Sequence, residues 1–578
     1  MSEKPFITIQ PDLAAAEKCP APVQVVRLPN RKLAVYVREN GALRPFMYRG
    51  IETGFYDLRL NTTDYAQWDA AFGHIKQANA NTVEFLIHLL DIEPEEGRFD
   101  WTVTDYIVSL CEKHGLKTRL VFFTSLFTGQ HLAGHTWNPS LDNGNTLVKV
   151  PDPADPWLYG DENNIQWSFN RATGAIQSKT YMDYYNAYQV IYLCYANPYV
   201  TEAVGGALRA LCGRYKDSGT VVGYQVTNEE GMQWRVPNGD ANPHTAVALR
   251  EFIKTKYGGV RELNAGWGTS YGSIGEVRPQ TAPFEKWGDF RRDLTAGYIR
   301  GLMRAGHEAD PYKPFFMNIY AGEESFRDYG LYNHTATDAS TYARCCTDGV
   351  AAMLYRPGYR DKTVLNRIND EININAPADV LLATTELGIG RRYWDKENQF
   401  AFNVYQYLQR GGQGYAAYDW GEFVTPCERW HGHPNEVLSE YRDIADMVQR
   451  NEGFLIGALP VDTVLPARSF YRLSTDSPYF EVTTLKQAYE AADMAGLCYN
   501  YSEREMPLTA EWVPARAGDY EIAFDRPGKP ALRFTQHVDY VEPDASYHTK
   551  TGRIALDLGP VAGKSFTILQ IKRICESG

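Results

Sequence analysis

The chain has 578 residues, 44% of them hydrophobic, which is too long for one small core and points to a large domain with one or two attachments. Its 58 basic against 71 acidic side chains leave a net charge of −13, so phosphate backbones and anionic membranes should repel it and nucleic acid is not an expected partner. No apolar run reaches the roughly 18 residues of a membrane helix, and the N-terminus MSEKPFITIQPD lacks a signal-peptide pattern, so the reading is a cytoplasmic protein with no membrane partner.

In chain order, residues 1–45 contain VQVVRL and KLAVYVRE, read as strands that pack against the larger unit after them. From about residue 46, strand-like apolar runs alternate with helical patterns, the signature of βα units and a parallel sheet. MYRGIETGFY is the first strand. In TTDYAQWDAAFGHIKQANA, Tyr65, Trp68, Phe72 and Ile75 fall at helical spacing behind Thr62, Thr63 and Asp64 as caps. TVEFLIHLL, a helix near DYIVSLCEKHG, and KTRLVFFTSLF come next. A long loop rich in Pro, Asn, Asp and Trp succeeds them, and loops of that kind inside a compact domain are usually functional.

The pattern resumes with a long helical region, roughly 181 to 217, and the strand VVGYQVTN. Later strands are PFFMNIY, DGVAAMLY, VLLATTE and GYAAYDW; a closing helix carries Val437, Leu438, Tyr441, Ile444, Met447 and Val448 on one face. The economical reading is an α/β protein, a (β/α)8 TIM barrel with insertions over residues 46–455. A doubly wound sheet would need a nucleotide-type glycine turn after an early strand, and none is evident. After about residue 456, short alternating runs such as YFEVTTL, DYEIAF and RIALDL predict a small C-terminal antiparallel β domain, sandwich-like, over 456–578.

The nine cysteines are scattered, without a CxxC pair, and read as reduced, buried apolar residues. Cys427, His431 and His433 in CERWHGH offer three close ligands, which an ordinary loop explains better than a metal site. No phosphate loop is present, and Gly411-Gly412-Gln413-Gly414 reads as a turn before a strand. No metal or cofactor is expected.

Active sites on TIM barrels sit at the carboxyl ends of the strands. Glu229, with Glu230 beside it, ends the fourth strand in QVTNEEG, and Glu386 ends the seventh in LLATTELGIG. Counting back by twos puts Glu229, Thr227 and Gln225 on one face, and Glu386, Thr384 and Leu382 on one face, both taken as inward. A single strand-end glutamate is more often a salt-bridge or loop residue. Two on strands four and seven face each other across the mouth, and hydrolysis of a glycosidic bond with retention needs such a pair roughly 5 Å apart.

On these residues the chain resembles glycoside hydrolase clan A, and LDIEPEEGRFDW (90–101) with LREFIKTKYGGVRELNAGWGTSYGSIGEV (249–277) resemble stretches of its family 42 and family 35-like β-galactosidases. The resemblance implies a retaining, exo-acting β-glycoside hydrolase acting on an oligosaccharide or glycoside. β-Glucosidase, β-mannosidase and endo-glycanase activities stay open, as does a non-catalytic carbohydrate-binding barrel. It implies Glu229 as acid/base, Asn228 as the contact to the sugar 2-hydroxyl, Glu386 as nucleophile, Tyr355 as its hydrogen-bonding tyrosine and Trp420 as the platform beneath the sugar. His131, His135 and Trp137 of the long loop would shape an exo pocket. The clan's arginine has no convincing match, Arg119 sitting early in strand three. The family's trimerisation domain is expected to be absent or much reduced, which leaves a homo-oligomer open. Glu230, where the related families commonly carry an apolar or aromatic residue, would turn to a flanking loop or the rim, with Arg235 as a partner to neutralise it.

Overall fold

The computed structural model describes residues 6–53, 65–93, 96–123, 126–128, 168, 171, 178–182, 187–191, 193–227, 240–320, 348–353, 381–383, 386–388, 399–425, 433–461, 473–488, 491–539 and 553–574. Its centre is one parallel sheet of nine strand segments. In chain order these are β1 (Tyr48–Thr53), β2 (Thr82–His88), β3 (Lys117–Phe123), β4 (Val221–Val226), β5 (Phe315–Tyr320), β6 (Gly349–Met353), β7 in two pieces (Leu381–Ala383 and Leu387–Gly388), and β8 (Gly414–Tyr418). The order across the sheet places the first piece of β7 beside β6 and the second beside β8, at opposite ends of the row.

Helices fill the connections: α1 (Tyr65–Gln77), α2 (Thr102–His114), α3 (Pro198–Tyr215), α4 (Phe284–Ala309), α5 (Gln399–Leu408) and α6 (Glu436–Leu455). Their apolar faces and the outward residues of the strands make one core, with Trp68, Phe72, Ile75, Phe85, Leu120, Tyr224, Tyr415 and Tyr441 all at most 3% exposed. On α6 the anticipated stripe is buried at Leu438, Tyr441, Ile444, Met447 and Val448, with Val437 packed at its edge.

A second apolar cluster lies on the opposite face of the sheet. Tyr48, Val222, Phe316, Leu381 and Ala383 from β1, β4, β5 and β7 converge there with Val23, Val25, Val35 and Phe46 of the N-terminal segment. The Tyr48 hydroxyl donates to the Val222 carbonyl at 3.2 Å, from β1 to β4, so the sheet curls around this cluster. The strands Ile9–Gln10, Val23–Arg27, Leu33–Glu39 and Ala42–Pro45 form a four-stranded sheet that supplies the base. Close approach of β8 to β1 depends on Gly414, whose φ is 131° and where a Cβ would collide with the Tyr48 carbonyl oxygen.

Residues 181–217 are not one helix. Ser178–Met182 and Ala187–Ile191 are antiparallel strands, the second also pairing with Leu126–Thr128, and α3 starts only at Pro198 behind an Asn197 cap. Tyr181, Tyr188, Val190 and Ile191 favour extended backbone, and the partner strand lies far back in the chain. Pairing with it decided the outcome.

After α6 the strands run antiparallel, in a six-stranded sheet and a three-stranded sheet that enclose Leu508, Trp512, Tyr520, Phe524 and Leu569. The inner sheet packs on α5 through Phe402 and Tyr405 against Tyr499, at ring distances of 5.2 and 5.1 Å. The described cysteines are free, and Cys111, Cys194, Cys212 and Cys498 are buried. Among the described residues no helix is long and apolar enough to cross a membrane, and no group of three acidic, His or Cys side chains could hold a metal ion.

Candidate active site

Register builds the lumen of the curled sheet in layers. Above the ring of Tyr48, Glu52 on β1 pairs with Glu84 on β2, Glu84 with Arg119 on β3, and Arg119 with Gly223 on β4. Three charges thus lie in one layer, with Glu52 3%, Glu84 0% and Arg119 0% exposed. Like charges directly opposite repel, so Glu52 beside Glu84 is tolerable only with the cation adjoining. Arg119 is ion-paired with Glu84, and its guanidinium carbon lies 5.0 Å from the Tyr48 ring and 4.9 Å from the Phe316 ring. Burial lowers its pKa to about 10, against the raising influence of Tyr48 and Glu52, so it stays charged at neutral pH. Arg119 belongs to this inner layer.

Nearer the carboxyl ends, Gln225 of β4 and Thr227 after it are 1% exposed. Thr227 has φ 68°, a left-handed conformation that costs a β-branched residue free energy. Its N–H donates to the Phe122 carbonyl at 2.9 Å, and Gln225 Nε2 donates to its carbonyl at 3.2 Å. The chain therefore leaves the extended conformation immediately before Asn228. Strand alternation ends at Val226, and counting in twos through Thr227 does not fix the direction of Glu229.

Glu386 is 4% exposed and lies just before the second piece of β7. Leu387 pairs with Ala417, and both belong to the outer core. Alternation then turns Glu386 to the lumen. Lower down, Leu381 and Ala383 belong to the lumen cluster, and Thr384 lies outside the described residues.

Trp420 lies just past β8, in the turn Trp420–Phe423, and is 1% exposed. Its indole is nearly parallel to the ring of His74 on α1, at 12° and 6.5 Å, on the helix side of the sheet. This differs from the open platform that the sequence led us to expect. On the lumen side, in register with Gly388, stands the half-buried Tyr418. The signal for Tyr418 was available in GYAAYDW, because Tyr415 and Ala417 are the outward residues of that run. Asn228, Glu229, Glu230, Tyr355, Trp137, His135, His131, Arg235, Cys427 and His431 lie outside the described residues, as do the caps Thr62, Thr63 and Asp64.

Residues 166–275 match the model of glycoside hydrolase family 42, described as β-galactosidase. A β-galactosidase of an Arthrobacter species is 32% identical over 129 residues, which are 20% of this chain and 18% of the relative. The chain resembles the family 42 β-galactosidases. That curated relative is matched over less than a fifth of its own length. In three dimensions, a family 42 β-galactosidase from G. stearothermophilus aligns with a TM-score of 0.55 at 13% identity, over 92% of this chain and 98% of that one. The catalytic domain of a β-amylase from Paenibacillus polymyxa aligns with a TM-score of 0.50 at 11% identity, over 68% of this chain and 96% of that one. At such identities the structural likeness speaks for the fold, and the family 42 match falls on the stretch from before α3 into the helical insertion after β4.

Proposed function

We propose that the chain is a retaining, exo-acting β-glycoside hydrolase of β-galactosidase type. The observation that carries the reading is Glu386, a carboxylate 4% exposed and turned to the lumen at the carboxyl end of β7, in a chain whose residues 166–275 match family 42. In this reading the strand row closes into an eight-stranded barrel over 46–455, with residues 1–45 beneath it and 456–578 as an attached antiparallel domain. Buried free thiols suit a reducing, cytoplasmic setting.

The chemistry needs two carboxylates. An oxygen of Glu386 attacks the anomeric carbon, the glycosidic C–O bond breaks, and the leaving oxygen takes its electron pair and the proton of Glu229. Water then attacks the same carbon from the opposite side and gives a proton to Glu229, and the bond to Glu386 breaks. Asn228 holds the 2-hydroxyl, Tyr355 hydrogen-bonds Glu386, His135 and Trp137 complete the pocket, and Tyr418 is the aromatic wall. The experiment is a panel of nitrophenyl β-galactoside, β-glucoside and β-mannoside, with wild type beside Glu386→Ala. The reading expects β-galactoside turnover that Glu386→Ala abolishes and that azide partly restores with inverted product. An inactive wild type, or a fully active Glu386→Ala, overturns it.

A further inference from the structure

Asn403 sits in α5, whose sequence QFAFNVYQYL is aromatic and apolar between its amides. Phe400, Phe402, Val404, Tyr405 and Tyr407 of that helix are at most 3% exposed, and Asn403 itself is 0% exposed. An amide in such surroundings has lost its water and is tolerated only where protein groups satisfy it. Its Nδ2 donates to the carbonyl oxygen of Gly388 at 3.1 Å. Gly388 is two residues beyond Glu386.

The second piece of β7 is two residues long, and among the described residues it pairs with β8 alone. The helix that holds it is itself keyed from the far side. Gln406 and Gln409 continue the row of amides at three-residue steps; Gln409 Nε2 donates to Gln406 Oε1 at 2.8 Å, and Thr483 of the antiparallel sheet donates to Gln409 Oε1 at 3.2 Å. Rotation of α5 is thereby fixed by polar contacts as well as by packing.

We infer that Asn403 is a positioning residue for the Glu386 carboxylate, acting through the Gly388 carbonyl and never touching the sugar. The inference rests on the reading of Glu386 as nucleophile. Without the amide donor, the strand end that carries Glu386 loses a buried hydrogen bond to the helix layer, and a displacement of about 1 Å in an attacking group can cost on the order of a hundred-fold in rate.

Asn403→Asp keeps the volume but replaces the donor with an acceptor facing a carbonyl. Rates are normalised to folded sites by burst titration with a dinitrophenyl β-galactoside, a substrate that leaves without protonation. Per site, kcat should fall about ten-fold or more, with KM and galactose inhibition within about two-fold of wild type. As the pH is lowered, the introduced carboxyl becomes protonated and can donate again, so the ratio of variant to wild-type rate should rise. Gln406→Met, which disturbs the same buried row without touching Gly388, should lower the melting temperature and leave kcat per site unchanged. Wild-type kcat in Asn403→Asp, or an equal fall in Gln406→Met, overturns the inference while leaving the glycosidase reading intact. A wild type without turnover would instead fail that reading first.

Discussion

Arg119 and Glu84 oppose each other in register on β3 and β2 and form an ion pair from which water is excluded, both side chains being fully buried. Taking two charges out of water is expensive, and their attraction offsets this only while both are present. Glu84→Ala leaves Arg119 facing Tyr48 and Phe316 with Glu52 as its neighbouring carboxylate, and should cost about 3–5 kcal/mol of stability. Replacing both partners, as Glu84→Leu with Arg119→Met, should recover a large part of the loss. Urea unfolding reads the result, as a lower midpoint at unchanged slope. A single variant no less stable than the double one would show that the pair does not hold the lumen together.

The doublet Glu229-Glu230 is separated by leaving groups. With Glu229 as acid/base, Glu229→Ala should slow poor leaving groups severely and spare dinitrophenyl glycosides, which depart without a proton. Glu230→Gln should leave that dependence as in wild type. Because Thr227 turns the chain out of the strand, parity gives no guide to which carboxylate enters the mouth. A leaving-group effect that tracks Glu230 would reassign the acid/base to it.

His307, at the end of α4, is clamped between Asp348 Oδ2 at 2.7 Å and the Asp310 carbonyl at 3.1 Å, with the Phe315 ring 4.3 Å away. Burial by itself lowers its pKa, but the charge and hydrogen bond of Asp348 and the contributions of Asp310 outweigh burial, and the net direction is upward. A folded pKa above the unfolded one means stabilisation present in full below about pH 6.5 and lost as the pH climbs through the folded value. The gap in melting temperature between wild type and His307→Gln should therefore be wider at pH 5.5 than at pH 9. An equal gap at both would show that the histidine acts by shape alone.

Much of the architecture was written in local pattern. Period-two and helical runs marked the parallel strands and the helices α1, α2 and α6, because each buries one face and sequence records which face that is. The same record placed Glu386 at a strand end and marked the turn before β8. Other features depended on partners distant in the chain. Ala187–Ile191 became a strand between Leu126–Thr128 and Ser178–Met182; Trp420 went to His74 on the helix side; and Arg119, unremarkable in KTRLVFF, gained its meaning from Glu84 opposite. In β7, Leu381 and Ala383 joined the cluster of Tyr48 and the N-terminal strands, a grouping that no period within LLATTE records. Sequence by itself determined the parallel strands, most of the helices and that a carboxylate stands in the run of the seventh strand. Only the tertiary structure decided which way that strand faces and what holds it, because strand register and helix-to-strand hydrogen bonds such as that of Asn403 to Gly388 are satisfied between segments and leave no period within either one.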